Sequence, residues 1–442
     1  MRMSVIGCGY LGAVHAACMA ELGHDVVGVD VDASKVDALA AGKPPFYEPG
    51  LPELLAGALA TGRLRFTTDI AEASGATAHF VCVGTPQRRG EFAADMTDVD
   101  AAVTALAPHL SGRSLVVGKS TVPVGTAQRL ADHLHETSPA GHDAVLAWNP
   151  EFLREGHAVQ DTLHPDRLVY GVPEGPDGEW ARSVLDEVYA SALAAETPLV
   201  VAGYSTAELV KVSANAFLAT KISFINAMAE VCETVGADVT QLADAIGYDD
   251  RIGRRFLGAG LGFGGGCLPK DIRAFMARAG ELGADQALAF LKEVDAINMR
   301  RRTRMVDLAR EVCGGSLIGQ RIAVLGAAFK PLSDDIRDSP ALNVAAQIQL
   351  QGASVVITDP AALENAQRAW PDLSYAPDAQ SACEGADAVL LLTEWQVYRD
   401  LDPVALAAVV RQRRMLDGRN AFDAQRWRDA GWTYRALGRP RA

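Results

Sequence analysis

One cysteine is set apart by its surroundings. In Gly262-Phe-Gly-Gly-Gly-Cys267-Leu-Pro269-Lys270-Asp271, four glycines in five positions lead into a thiol, and Pro269 marks where a helix can begin. A thiol at a helix N-terminus beside Lys270 has its thiolate favoured, and the thiolate is the nucleophile. The glycines read as a flexible loop, because four of them in five positions give up more backbone entropy on folding than a plain core turn requires. The other six of the seven cysteines (Cys8, Cys18, Cys82, Cys232, Cys313, Cys383) have no comparable surroundings. The chemistry on offer is covalent: sulfur adding to an electrophilic carbon.

A second constellation opens the chain. Gly7-Cys-Gly9-Tyr-Leu-Gly12 is a GxGxxG fingerprint directly after an apolar strand and opening a helix, the context in which three glycines permit a tight turn, backbone approach to a pyrophosphate and close helix–strand packing. The phosphates would lie at the helix N-terminus. Asp30 closes the next strand, where a carboxylate accepts from a ribose 2′-hydroxyl and repels a 2′-phosphate, so NAD is favoured over NADP. The glycines alone also admit FAD; the covalent cysteine favours NAD.

Two further pairs carry weaker signals. Lys211 and Asn215 are four residues apart, hence on one helix face, and could address a single substrate oxygen or stand on a solvated surface. Asn149-Pro-Glu151-Phe-Leu-Arg-Glu155 reads as a charged helix start after a turn.

These groups need a frame. Met3–Ile6, a glycine turn, a helix from Gly12 to Leu22 and strand Asp25–Asp30 make one βαβ unit. Apolar runs at Ala78–Val83, Ser114–Gly118 and Ala144–Ala147 extend it into a parallel sheet covered on both faces. From Ser205 to Gly236 apolar residues recur at helical spacing without a turn pair, which predicts a long central helix, and helical sequence continues to Val312. Arg321–Leu325, Ser354–Thr358 and Asp387–Leu392 begin a second α/β pattern. The expected division is an N-terminal dinucleotide domain over 1–200, a helical segment with the cysteine loop over 201–312, and a C-terminal domain over 313–442.

Composition narrows the class. The chain has 442 residues, 49% hydrophobic and 22% charged, which is ordinary for a multi-domain globular protein, and no run of about 18 uncharged apolar residues suggests a membrane span. A net charge of −14 argues against a nucleic-acid or anionic-membrane partner. The cysteines are odd in number and never in a CxxC pair, so neither a disulfide framework nor a metal site is indicated, and a reducing cytoplasm is expected. Arg2 before the apolar stretch Met3–Ala20 has the look of a secretory signal, but the ordered glycines and the next strand favour a folded βαβ unit.

The motifs Gly-Phe-Gly-Gly-Gly-Cys267-Leu-Pro-Lys-Asp, Lys211-Val-Ser-Ala-Asn215, Ser120-Thr121-Val-Pro-Val-Gly-Thr, Asn149-Pro-Glu-Phe-Leu-Arg-Glu-Gly and Phe329-Lys330-Pro-Leu-Ser-Asp-Asp-Ile-Arg337 together resemble the UDP-glucose 6-dehydrogenase family, in family order from residue 1 to Arg419. The resemblance implies an α/β fold: two Rossmann-like doubly wound domains joined by a helical central domain whose long helix forms a homodimer. It implies oxidation of UDP-glucose to UDP-glucuronate with two NAD per sugar, through a thiohemiacetal and a thioester on Cys267.

By the same resemblance Lys211 and Asn215 steady the reacting oxygen, Thr121 and Asp271 position a water, and Glu151 is the acid/base partner in hydrolysis. Cofactor contacts fall on Gly7, Gly9, Tyr10, Leu11, Gly12, Asp30, Lys35, Thr85, Thr121, Glu155, Lys270 and Arg337. Substrate contacts fall on Glu151, Phe152, Leu153, Arg154, Lys211, Asn215, Phe256, Leu257, Gly264, Cys267, Lys330 and Arg419, with Arg251 donated to the neighbouring subunit's site. Gly266 stands where serine is common, Leu268 where phenylalanine is frequent, and Ala227-Met-Ala-Glu230 departs from the family's Asn-Glu-Met-Ala; these bear on specificity, not on the reacting groups. Two alternatives remain: the same chemistry on GDP-mannose or a UDP-N-acetylhexosamine, or a catalytically silent NAD-binding regulatory protein, which would need none of these groups.

Overall fold

A computed structural model of the protein describes residues 1–440. By internal contacts the chain divides into two compact units, Met1–Ala214 with Arg273–Gly283, and Asn215–Ile272 with Ala284–Ala442.

The first unit is built on eight strands: β1 (Arg2–Ile6), β2 (Asp25–Val29), β3 (Leu64–Thr67), β4 (Ala78–Val81), β5 (Ser114–Gly118), β6 (Ala144–Trp148), β7 (Leu168–Gly171) and β8 (Leu199–Ala202). Their order is β3-β2-β1-β4-β5-β6-β7-β8, so the connection reverses between β1 and β4. Such a switch point opens a crevice at the strands' carboxyl ends, where ligands of open α/β sheets bind. The sheet is covered on both faces. Met3, Val5, Leu115, Val117 and Val145 enter one core, while Ile6, Val116, Leu146 and Trp148 enter the other, the period-two split of a doubly buried sheet.

The sequence suggests a wholly parallel sheet, but one pair departs from it. β7 meets β6 antiparallel, through the pair Trp148 and Gly171. The only helix in this connection is Ala158–Leu163, six residues.

The segment from Asn149 is also a loop and not a helix start, since the next helix begins at Ala158. Its N–H groups go to side chains instead: Glu151 Oε1 accepts from Phe152 (2.7 Å) and Leu153 (2.8 Å), and Glu48 accepts from Gly156 (2.6 Å) and Ala158 (2.7 Å). Gly156 takes φ +80, which ends any helical run.

The second unit carries β9 (Arg321–Leu325), β10 (Ser354–Thr358), β11 (Ser374–Tyr375), β12 (Ala388–Leu391), β13 (Arg414–Asp417) and β14 (Thr433–Ala436), in the order β11-β10-β9-β12-β13-β14. Its core gathers Ile322, Val324, Val389, Leu391, Leu416 and Trp427. The long helix is Tyr204–Val235, 32 residues or about 48 Å. Three more helices follow, Val239–Gly247, Leu268–Glu281 and Phe290–Val312. Among the described residues no helix is long and apolar enough to cross a membrane.

Candidate active site

The first-unit groups lie along the carboxyl ends of β1, β2, β4, β5 and β6. Gly7 leaves β1 at φ +86, and a Cβ on Gly12 would come 1.8 Å from the Gly7 carbonyl oxygen, so helix and turn pack this closely only with glycine at position 12. The helix Tyr10–Glu21 starts at Gly9 with no side-chain cap, and a Cβ added at Gly9 would meet nothing within 4 Å. An uncapped helix N-terminus beside open space suits a pyrophosphate, and the residues fit a dinucleotide. Leu11 lies in that first turn. Buried Asp30 accepts from the Cys8 N–H at 2.7 Å and pairs with Lys35 at 2.9 Å.

Thr85 and Thr121 are tied together: the Thr85 hydroxyl donates to the Thr121 carbonyl at 2.8 Å, and Ser120 Oγ to the Val83 carbonyl at 2.6 Å. The following turn is capped from the long helix, where Glu208 accepts the N–H of Gly125 (2.8 Å) and of Ala127 (2.7 Å). Burial pushes the Glu208 carboxyl up, against those N–H bonds.

Glu151 lies beside Lys119 at 2.9 Å, and Phe152 faces two cations, the Arg167 guanidinium 3.9 Å and Lys211 Nζ 5.5 Å from its ring. Burial works against the Glu151 carboxylate, but the Lys119 ammonium outweighs it and holds the group below the usual carboxylate range. Leu153 and Glu155 are half-buried in the same loop. Arg154 turns its guanidinium to Asp161, with bonds of 2.9 and 2.6 Å. Tyr10 Oη donates to Glu48, the carboxylate that also holds the N–H groups of Gly156 and Ala158; one buried acid thus links the glycine turn to the Glu151 loop.

In the second unit Cys267 is the exposed thiol among seven, standing directly before the helix Leu268–Glu281. Asp271, 3% exposed, accepts from Lys270 Nζ at 2.6 Å and from the Asn215 amide at 2.7 Å, and its N–H bonds the Cys267 carbonyl. Asn215 is one helical turn beyond Lys211 on the same helix.

The glycine run is not the flexible loop that its composition suggests. Residues 262–265 are buried, and added Cβ atoms would strike Asp338 O at Gly264 (2.4 Å), the Phe329 ring at Gly265 (2.8 Å) and the Arg337 guanidinium at Gly266 (2.2 Å). Close packing requires the glycines. Asn298, fully buried, grips Phe263 twice, accepting its N–H at 2.7 Å and donating to its carbonyl at 3.0 Å.

Arg419 points its guanidinium at the carbonyls of Leu392 (2.8 Å), Gly262 (3.0 Å) and Phe329 (3.1 Å), so it braces loops. Lys330 Nζ lies 5.6 Å from the Phe329 ring. Arg337 pairs with Asp335 at 2.7 Å. Leu257 is buried, Phe256 takes φ +65, and Arg251, 88% exposed, pairs with Asp249 at 2.6 Å.

The sequence reading passed over Lys119, Glu48, Glu208 and Asn298. A lysine directly after an apolar strand was the available signal for the first. Among the described residues no group of His, Cys, Asp and Glu could hold a metal ion.

Comparison with known proteins bears on the whole chain. Residues 1–193 match the NAD binding domain, 205–300 the central domain and 323–424 the UDP binding domain of the UDP-glucose/GDP-mannose dehydrogenase family. A UDP-glucose 6-dehydrogenase of Rhizobium meliloti is 44% identical over 100% of both chains. A UDP-glucose dehydrogenase structure from Pyrobaculum islandicum matches with TM-score 0.90 and 40% identity, covering 99% of this chain and 98% of that one. A UDP-D-ManNAc dehydrogenase structure from Pyrococcus horikoshii matches with TM-score 0.86 and 25% identity over 100% of both.

Proposed function

Because the chain belongs to the UDP-glucose/GDP-mannose dehydrogenase family and is an NAD-dependent oxidoreductase, we propose that it takes four electrons from C6 of UDP-glucose, converting the primary alcohol to the carboxylate of UDP-glucuronate through covalent intermediates on Cys267. The observation that carries this reading is the exposed Cys267 at the start of a helix whose first turn holds Asp271, bonded to Asn215. UDP-glucose is favoured over GDP-mannose and the N-acetylhexosamines because full-length relatives at 37–44% identity are named for it.

NAD, when bound, supplies the two-electron acceptor for each oxidation. The Lys211 ammonium and the Asn215 amide hold the C6 oxygen as it gains negative charge. Cys267 Sγ adds to the aldehyde carbon, making it tetrahedral; the second oxidation leaves a thioester. Thr121 and Asp271 position the water that cleaves it, and Glu151 accepts that water's proton. Carboxylate Asp30 favours NAD over NADP.

The active form is a homodimer in which Arg251 completes the neighbouring site. Supporting this, Phe217, Phe224 and Val231 recur every seven residues on the long helix, 66%, 49% and 52% exposed, an apolar stripe that a monomer rarely leaves open. Free cysteines throughout suit a cytoplasmic enzyme.

The test is NADH formed per limiting UDP-glucose in excess NAD, with mass analysis of the product. Two NADH and UDP-glucuronate are expected; one NADH would end the reaction at the aldehyde, and none would overturn the substrate and, after a panel of nucleotide sugars, the enzyme. Cys267→Ser is expected to bind NAD normally and to lose turnover roughly a thousandfold or more.

A further inference from the structure

Lys119 directly follows the fully buried strand β5 and is itself 4% exposed. An ammonium taken out of water costs several kcal/mol unless paired and hydrogen-bonded. Its Nζ has three partners for three protons: Glu151 Oε2 at 2.9 Å, Asn149 Oδ1 at 3.0 Å and Tyr189 Oη at 3.3 Å. These partners are themselves fixed, since Tyr189 Oη donates to Asn149 Oδ1 at 2.6 Å and the Asn149 amide donates to the Val169 carbonyl at 2.9 Å.

The geometry on Glu151 separates its two oxygens. Oε1 accepts the N–H groups of Phe152 and Leu153, which uses both of its lone pairs. Oε2 gives one lone pair to Lys119 and keeps one to take a proton. A plain ion pair would leave the carboxylate free to rotate; this one has a fixed plane and a single open acceptor position.

We propose that Lys119 is a positioning residue of the hydrolysis step: by binding Oε2 of Glu151 inside a buried network, it presents that oxygen as an ionised, oriented proton acceptor. The inference rests on the reaction proposed above. In the step concerned, the water oxygen bonds to the thioester carbon, one water proton goes to Glu151 Oε2, the C–S bond breaks, and the Cys267 thiolate leaves and regains a proton from Glu151; nothing is oxidised or reduced.

The experiment follows full-length wild type, Lys119→Met and Lys119→Arg with NAD and UDP-glucose from pH 5.5 to 9, reading kcat and the mass of acid-quenched protein at steady state. The acid limb of the Met variant is expected to move up by about one pH unit or more, because burial then acts on Glu151 unopposed. Below that limb the mass should show the glucuronyl adduct accumulating on the protein, with the first-turnover NADH burst retained. Lys119→Arg should keep the wild-type limb. Equal loss at every pH with no adduct would mean that Lys119 only supports the fold, and would overturn the proposal.

Should Lys119→Met not fold, Glu151→Gln is compared with Glu151→Gln/Lys119→Met, which removes both buried charges. If Lys119 acts through Glu151, the adduct lifetime is the same in the two; a further change of roughly tenfold overturns the proposal. Wild type yielding no NADH from UDP-glucose would overturn the reaction and this inference together, whereas two NADH with an unmoved limb in the Met variant overturns the inference alone.

Discussion

The two sheets share a frame and differ in what it holds. In both, a switch point separates the first strand from the fourth, β1 from β4 and β9 from β12, and an aspartate follows the second strand. Each aspartate clasps the turn after the first strand: Asp30 accepts from Cys8, and Asp359 from Ala327 at 2.7 Å and Ala328 at 3.0 Å. Asp359 then takes Ala361 at 2.9 Å, Ala362 at 2.8 Å and Trp395 Nε1 at 3.1 Å, all immobile donors. Asp30 likewise takes the N–H of Asp32 at 3.0 Å, but its remaining partner is Lys35, a long side chain 28% exposed. The first turn enters its helix at Tyr10, while the second runs through Phe329 and Lys330 before its helix begins at Pro340. An aspartate at this position is thus first a turn clasp. It can address a ribose only where glycines admit a ligand and one of its partners can move aside.

The comparison breaks most visibly through Asp359→Ala. Five donors would lose their acceptor, and the expected loss is roughly 4 kcal/mol, read as a fall in Tm with the NAD-to-NADP preference unchanged. A smaller loss than Asp30→Ala gives would contradict the assignment of Asp359 as the purely structural clasp.

Acid should separate the units next. All nine histidines lie in the first unit. Burial holds His79 down at about 4 from 6.5, so it is neutral in the fold. As pH falls through 6.5 the unfolded chain binds a proton that the folded one refuses. Stability contributed by neutral His79 is therefore whole above 6.5 and is lost progressively down to pH 4, by roughly 3 kcal/mol. Urea unfolding at pH 7 and pH 5 should show the drop, and His79→Gln should lessen it by the share of His79 without abolishing it, because burial also holds His15 and His24 down; hydrogen exchange should report opening in the first unit before the second.

Asp30→Ala should weaken NAD binding and relax discrimination against NADP by roughly tenfold to a hundredfold, read by cofactor titration, since one charge-assisted hydrogen bond and one repulsion are removed. Lys35→Met is expected to have the smallest effect, under about 1 kcal/mol in stability, because the pair is partly exposed; a larger effect would make Lys35 a fixed part of the clasp.

Much of this frame was legible in the residues. β1, β5, β6, β9 and β10 are apolar runs because parallel strands are buried on both faces, and the long helix announces itself by spacing. The half-exposed edge strand β8 and the two-residue β11 carry no such signal, and no apolar pattern encodes the antiparallel direction of β7. The reacting groups were named from their motifs, but not their supports. Lys119 resembles any lysine ending a strand, and Glu48 sits in Phe46-Tyr-Glu-Pro-Gly50, which reads as a turn. The glycines before Cys267 were visible but their cause was not: crowding by Phe329, Arg337 and Asp338, far away in sequence, cannot be told from flexibility by composition.

The distribution of sulfur has a practical outcome. Six thiols are buried, and burial pushes several of them up, Cys82 and Cys383 to about 12, so they are poor targets for electrophiles and peroxide. Cys267 is left as the single accessible target. One equivalent of a maleimide should silence the protein without unfolding it, so the working molecules in a preparation can be counted by the thiols they lose, and an oxidative burst would leave folded, inactive protein that a reductant can restore.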